Sequence, residues 1–110
     1  VLTAAIKVPP DKKADLIAFY NAGAGWGGAD GWCFGQFRLD SAAGPMFAPG
    51  ELWLADGYVY GPAHDPTLSM QGFYKNVGPG NHTVYVTMDG TGGGCQVLDR
   101  SLIVLANVHN

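Results

Sequence analysis

Charge is scarce in this sequence. Only 14% of the residues are Asp, Glu, Lys or Arg, and six basic against nine acidic residues leave a net charge of −3. No basic cluster occurs, which argues against a nucleic-acid or anionic-membrane surface. Cysteine is nearly absent: Cys33 and Cys95 stand alone, far apart in sequence. With no CxxC and no HxxxH, no zinc spacing exists, and neither a metal nor another cofactor is expected. Long hydrophobic runs are missing too, so nothing approaches the roughly 18–20 apolar residues that a spanning helix needs, and no membrane insertion is expected. At 110 residues there is room for one core, and 1–110 reads as a single domain. Val1 stands where an unprocessed chain has Met, so the sequence reads as processed or as part of something longer.

What is abundant is glycine and apolar surface. Apolar residues make up 47%, so the chain folds; seventeen Gly and seven Pro scattered along it speak against a helical bundle. The first residues alternate, with Leu2, Ala4, Ile6 and Val8 on one face and Val1, Thr3, Ala5 and Lys7 on the other, which is the period of a half-buried strand. Pro9-Pro10-Asp11 ends it. Residues 14–21 form a second candidate strand, with a short helix as the alternative, and 22–31 read as a glycine-rich loop. Further strands follow at 32–40, 51–60 and 67–76. After the turn Gly78-Pro79-Gly80-Asn81, Val84, Val86 and Met88 alternate against Thr83, Tyr85 and Thr87. A glycine loop at 89–94 leads into the last strand. Short strands punctuated by turn signals predict an all-β fold: one antiparallel sandwich of jelly-roll type, with seven to nine strands and little or no helix. The expected core is Leu2, Ile6, Val8, Leu16, Phe19, Phe37, Leu39, Leu54, Met70, Val84, Val86, Leu102 and Val104.

The motifs that suggest chemistry have plainer explanations. Residues 23–28 match G-x-G-x-x-G, but turn and strand residues follow where dinucleotide binding needs a helix N-terminus. Three Asp-Gly pairs (30–31, 56–57, 89–90) are turn formers, and no segment has the acidic ladder of a calcium loop. Ser41, Ser69 and Ser101 lack a nucleophile elbow, and His64, His82 and His109 are isolated. No catalytic residue is expected. Asn81-His82-Thr83 is a glycosylation sequon, meaningful only in a eukaryotic secretory host. Cys33 and Cys95 each open a predicted strand behind a glycine run. They are either a disulfide, contributing roughly 4 kcal/mol in the chain-entropy picture, or two buried thiols. The pair is the expectation, and it points to an oxidising, extracellular setting. Trp26, Trp32, Trp53, Tyr58 and Tyr60 are the candidate contact residues, able to stack on sugars or anchor a protein interface, or else simply to cap the core.

Three stretches carry a resemblance. Residues 6–17 (IKVPPDKKADLI), then Ser69-Met70-Gln71 with residues 77–86 (VGPGNHTVYV), and the closing LDRSLIV of 98–104, resemble small bacterial secreted and phage β-sandwich modules, similar in outline to jelly rolls of the complement C1q and tumour-necrosis-factor type. The resemblance covers about half the chain and brings no catalytic residues. It implies an accessory module, displayed on a cell surface or attached to a virion. The stretch 41–66, rich in Pro, Gly and Trp, departs from the pattern.

The leading expectation is therefore a non-catalytic structural or interaction module. It would assemble with itself or decorate a larger extracellular assembly or virion, as a capsid or tail accessory protein does, with protein as its partner. A carbohydrate-binding module using loop Trp and Tyr residues is the alternative, and a small hydrolase comes third.

Overall fold

The computed structural model describes residues 2–26, 32–56, 67–91 and 95–110; for 23–26, 32–33, 53–56, 67–68, 89–91 and 95–99 the description is of the backbone alone. Among the described residues there are seven strands: β1 (Leu2–Val8), β2 (Lys13–Trp26), β3 (Trp32–Leu39), β4 (Leu52–Asp56), β5 (Thr67–Val77), β6 (Gly80–Thr91) and β7 (Cys95–His109). Among the described residues there is no helix. The strands form two antiparallel sheets, β1-β6-β3-β4 and β5-β2-β7. β1 pairs with β6, β2 with β5 and β3 with β4. That nested pairing is a long hairpin rolled up, the jelly-roll plan, with β7 added along the other edge of β2.

The alternation in the sequence becomes the two faces of each sheet. Val8, Leu16, Phe37, Leu39, Met70, Val84 and Val86 are buried, and Leu2, Ile6, Leu102 and Val104 pack against them. Leu52 of β4 packs against the core as well, whereas the side chain of Leu54 lies outside the described residues. Phe19 is a correction. On β2 the buried positions are Ala14, Leu16, Ala18, Tyr20 and Ala22, and a residue three places after Leu16 necessarily faces the other way. The second strand is also longer than its apolar run. Residues 22–26, expected as loop, continue β2: Ala22 and Gly23 pair with Leu68 and Thr67 of β5, and the ladder to β7 runs on from Arg100 to Cys95. Tertiary ladder bonds outweigh the poor strand propensity of Gly and Ala. In the same way, Asp89-Gly90 lies inside β6, paired with Phe34 and Cys33, and forms no turn.

Phe47 is a core residue that alternation could not reveal. It sits between strands, in the proline-rich connection from β3 to β4, yet is fully buried. Its N–H donates to the Phe37 carbonyl at 2.9 Å, while Ala48 and Phe73 exchange backbone bonds of 2.9 and 3.0 Å. Residues 46–48 thus stitch β3 of one sheet to β5 of the other, and the Phe47 ring plugs the seam between Phe37 and Tyr74, with centroids 5.8 and 5.4 Å away.

Candidate functional site

The register assigns the connections to two ends of the sandwich. Trp26 at the end of β2 pairs with Cys95 at the start of β7. Trp32 at the start of β3 pairs with Thr91 at the end of β6 and with Asp56 at the end of β4. Thr67 at the start of β5 pairs with Gly23. The residues flanking 27–31, 57–66 and 92–94 therefore all stand at one end, called here the loop end. β1 does not reach it, since Leu2 pairs with Val86, opposite the middle of β3.

Three of the five aromatic candidates meet there by backbone position. Trp26 is on the three-stranded sheet and Trp32 on the four-stranded one. Trp53 pairs with Phe34, two residues from Trp32, across the bulge that follows Cys33. Tyr58 and Tyr60 lie outside the described residues, although the segment that holds them is flanked by Asp56 and Thr67 of this end. Cys33 and Cys95 also fall here, on opposite sheets. Cys33 pairs with Gly90 of β6, and the chain reaches Cys95 five residues later. Their sulfurs lie outside the described side chains. Cys95 opens its strand as expected, whereas Cys33 is second in its own.

The opposite end holds two Asp–His pairs that sequence reading missed, because their partners are distant in the chain. His82 Nδ1 lies 2.9 Å from Asp40 Oδ2, and its Nε2 lies 2.9 Å from the Gly78 carbonyl oxygen. Two acceptors call for two ring protons, the imidazolium form. Partial burial works against that charge, but the bonds to Asp40 and Gly78 outweigh it and raise the His82 pKa above the usual histidine range. For Asp40, burial likewise opposes ionisation, and the His82 bond with the Thr83 N–H at 3.0 Å lowers its pKa nonetheless. Asp40 takes the left-handed conformation, φ 67°, which a short polar side chain tolerates.

His109 repeats the arrangement, with Nε2 3.2 Å from Asp15 Oδ1 and Nδ1 3.1 Å from the Asn110 carbonyl oxygen. The Asn76 N–H, and then His109, hold Asp15 below the usual carboxylate range; the Asn110 carbonyl and Asp15 raise His109. Both imidazoles have each nitrogen committed to an acceptor. Neither has a nitrogen left to take a proton from a serine or a water, so these pairs are latches on turns and lack the geometry of a catalytic dyad. His64 lies outside the described residues. Among the described residues no three of His, Cys, Asp and Glu gather where an ion could bind.

A different surface is prominent on the outside of the three-stranded sheet. Phe73, Ile17 and Leu105 form one row across β5, β2 and β7, and Gln71, Phe19 and Ile103 the next. Ile17, Phe73, Leu105 and Ile103 are 43%, 50%, 54% and 55% exposed. A groove of about 310 Å³, lined by Ile17, Pro49, Gln71, Gly72 and Phe73, runs along the β5 side. None of Trp26, Trp32 and Trp53 belongs to these two rows.

No family model and no curated protein matches the chain. Among solved structures it is similar to a family 6 carbohydrate-binding module, at 15% identity and a TM-score of 0.37, over 91% of this chain and 65% of that one. It is similar also to the C-terminal domain of EclA, a sugar-binding protein, at 16% identity and a TM-score of 0.38, over 93% of this chain and 77% of that one. The chain thus spans just under two thirds of the first of these. Of the resemblance read from the sequence, the β-sandwich is supported; the C1q, tumour-necrosis-factor and phage connection is not.

Proposed function

We propose that the chain is a non-catalytic recognition module that takes a glycan at its loop end. One observation carries this reading: strand pairing brings the backbone positions of Trp26, Trp32 and Trp53, dispersed in sequence, to one end of the sandwich. Indole faces stack on the apolar faces of sugar rings, and polar neighbours such as Asp56 and Asp89 take hydroxyls. In the described part, the committed nitrogens of His82 and His109 weigh against hydrolysis. A Cys33–Cys95 disulfide, with both positions at that end on facing sheets, belongs to the same proposal and to an extracellular or cell-surface setting. The test is a panel of neutral oligosaccharides read by intrinsic tryptophan fluorescence. Binding that weakens at least tenfold in a Trp32→Ala or Trp53→Ala variant of unchanged fold supports the reading. A folded protein that binds nothing in the panel overturns it.

The leading expectation from the sequence, assembly with protein, is kept as a second reading. The apolar outer face of β5-β2-β7 favours it, since large side chains half open to water on one sheet face commonly mark an interface.

A further inference from the structure

We propose that the outer face of the three-stranded sheet is the contact between two copies of this chain, stacked sheet on sheet about a twofold axis that runs along β2. The inference rests on the assembly reading and names its surface and partner.

The area is the first argument. Ile17, Phe73, Leu105 and Ile103, exposed by 43–55%, together with the partly exposed Phe19, present about 400–500 Å² of apolar surface, in the upper part of the range for the largest patch on an ordinary monomer. One side of a standard interface buries about 800 Å², of which somewhat more than half is apolar. The patch therefore supplies about what one partner in a stable dimer must bring.

Shape is the second. The face differs across its width, with the groove on the β5 side, beside Ile17 and Phe73, and the exposed Ile103 and Leu105 on β7. A twofold axis along the central strand lays each copy's β7 over the other's β5. The side chains of Leu105 and Ile103 then face the groove, and Ile17 meets Ile17 at the axis. An isologous contact needs this pairing of a ridge and a groove on opposite halves of one surface.

Charge is the third. Neither apolar row contains a charged residue, and the next row towards the loop end, Ser69, Asn21 and Ser101, is neutral. Towards the other end the first charge on the central strand is Asp15, which lies 3.2 Å from His109 and near Lys75 of β5. Stacking the two apolar rows on themselves buries no charge, and Asp15 and Lys75 are left beyond them at the rim.

Sedimentation equilibrium distinguishes the outcomes. Wild-type protein should sediment as a dimer, and Leu105→Lys should weaken dimerisation at least a hundredfold. Ser101→Lys, outside the apolar rows, should leave it within a few fold. If Leu105→Lys fails to fold, Leu105→Thr, which puts a strand-favouring β-branched side chain there, should still weaken the dimer about tenfold. A wild-type protein that stays monomeric at millimolar concentration overturns the assembly reading itself. A dimer indifferent to folded Leu105→Lys or Leu105→Thr overturns this surface and leaves the assembly reading standing.

Discussion

Gly72 is the position where one methyl group tests the packing most sharply. It lies on β5, paired with Ala18 of β2. A Cβ built there would stand 2.7 Å from Cδ2 and 3.2 Å from Cε2 of Phe37, and 3.2 Å from Cβ of Phe47. The Phe37 ring is buried and tilted against Phe47, whose own ring is held by Tyr74, so it has little room to withdraw. Replacing Gly by Ala in a strand ordinarily stabilises by about 0.4–1 kcal/mol through the unfolded chain. Overpacking a filled core costs about 1–3 kcal/mol. The clash should win, leaving Gly72→Ala about 1–2 kcal/mol less stable in a urea titration, a fall of roughly 4–8 °C in Tm. The cause can be isolated with Phe37→Leu, which removes the obstructing ring edge. In that background Gly72→Ala should cost much less, a coupling of about 1 kcal/mol in the double-mutant cycle. A Gly72→Ala protein at least as stable as wild type, or two substitutions that simply add, would refute the packing argument.

Phe47→Ala should cost about 3–5 kcal/mol, as a buried ring does when nothing can collapse into its place, even though it lies in a proline-rich connection; a loss below 1 kcal/mol would show that the seam is not sealed by Phe47. Asp40→Asn should bring the His82 pKa down towards the ordinary value in an NMR titration, and an unchanged value would contradict the latch. Because His82 is raised in the folded state, its contribution is whole below about pH 6.5 and fades as pH rises through the raised value; because Asp40 is lowered, its contribution is whole above about pH 4 and fades as pH falls through the lowered value. The stability gap between wild type and Asp40→Asn should thus be widest between about pH 4 and 6.5, at no more than about 1 kcal/mol because Asp40 is half open to solvent. Denatured, unreduced protein should release no thiol to a colorimetric reagent, and two thiols per chain would end the Cys33–Cys95 proposal.

Alternation was enough for the fold wherever one face of a strand is buried and the other wet. β1 and β6 are of this kind, and Val8, Val84 and Val86 were named from period alone. The same rule should have rejected Phe19 once Leu16 was placed. Phe47 was beyond it, because a residue crossing between sheets has no period to betray it. The ends of β2 and β6 are hidden by glycine, which signals a turn in isolation but accepts ladder bonds when a neighbouring strand runs alongside, β7 beside β2 and β3 beside β6. Of the site, the residue types were legible and their convergence was not. The backbone positions of Trp26, Trp32 and Trp53 fall at one end of the sandwich only through the pairings of β2 with β7 and of β3 with β4, contacts that no local pattern encodes. The latches at His82 and His109 were invisible for the same reason, each joining residues from distant strands.

The glycan site at the loop end can be mapped by following backbone amide shifts during titration with the tightest oligosaccharide of the panel. Perturbations should gather at residues 24–26, 32–34, 53–56 and 89–97, with the sheet face of Ile17, Phe73 and Leu105 unmoved. Shifts confined to that sheet face, or a saturating ligand that leaves the loop end untouched, would contradict it.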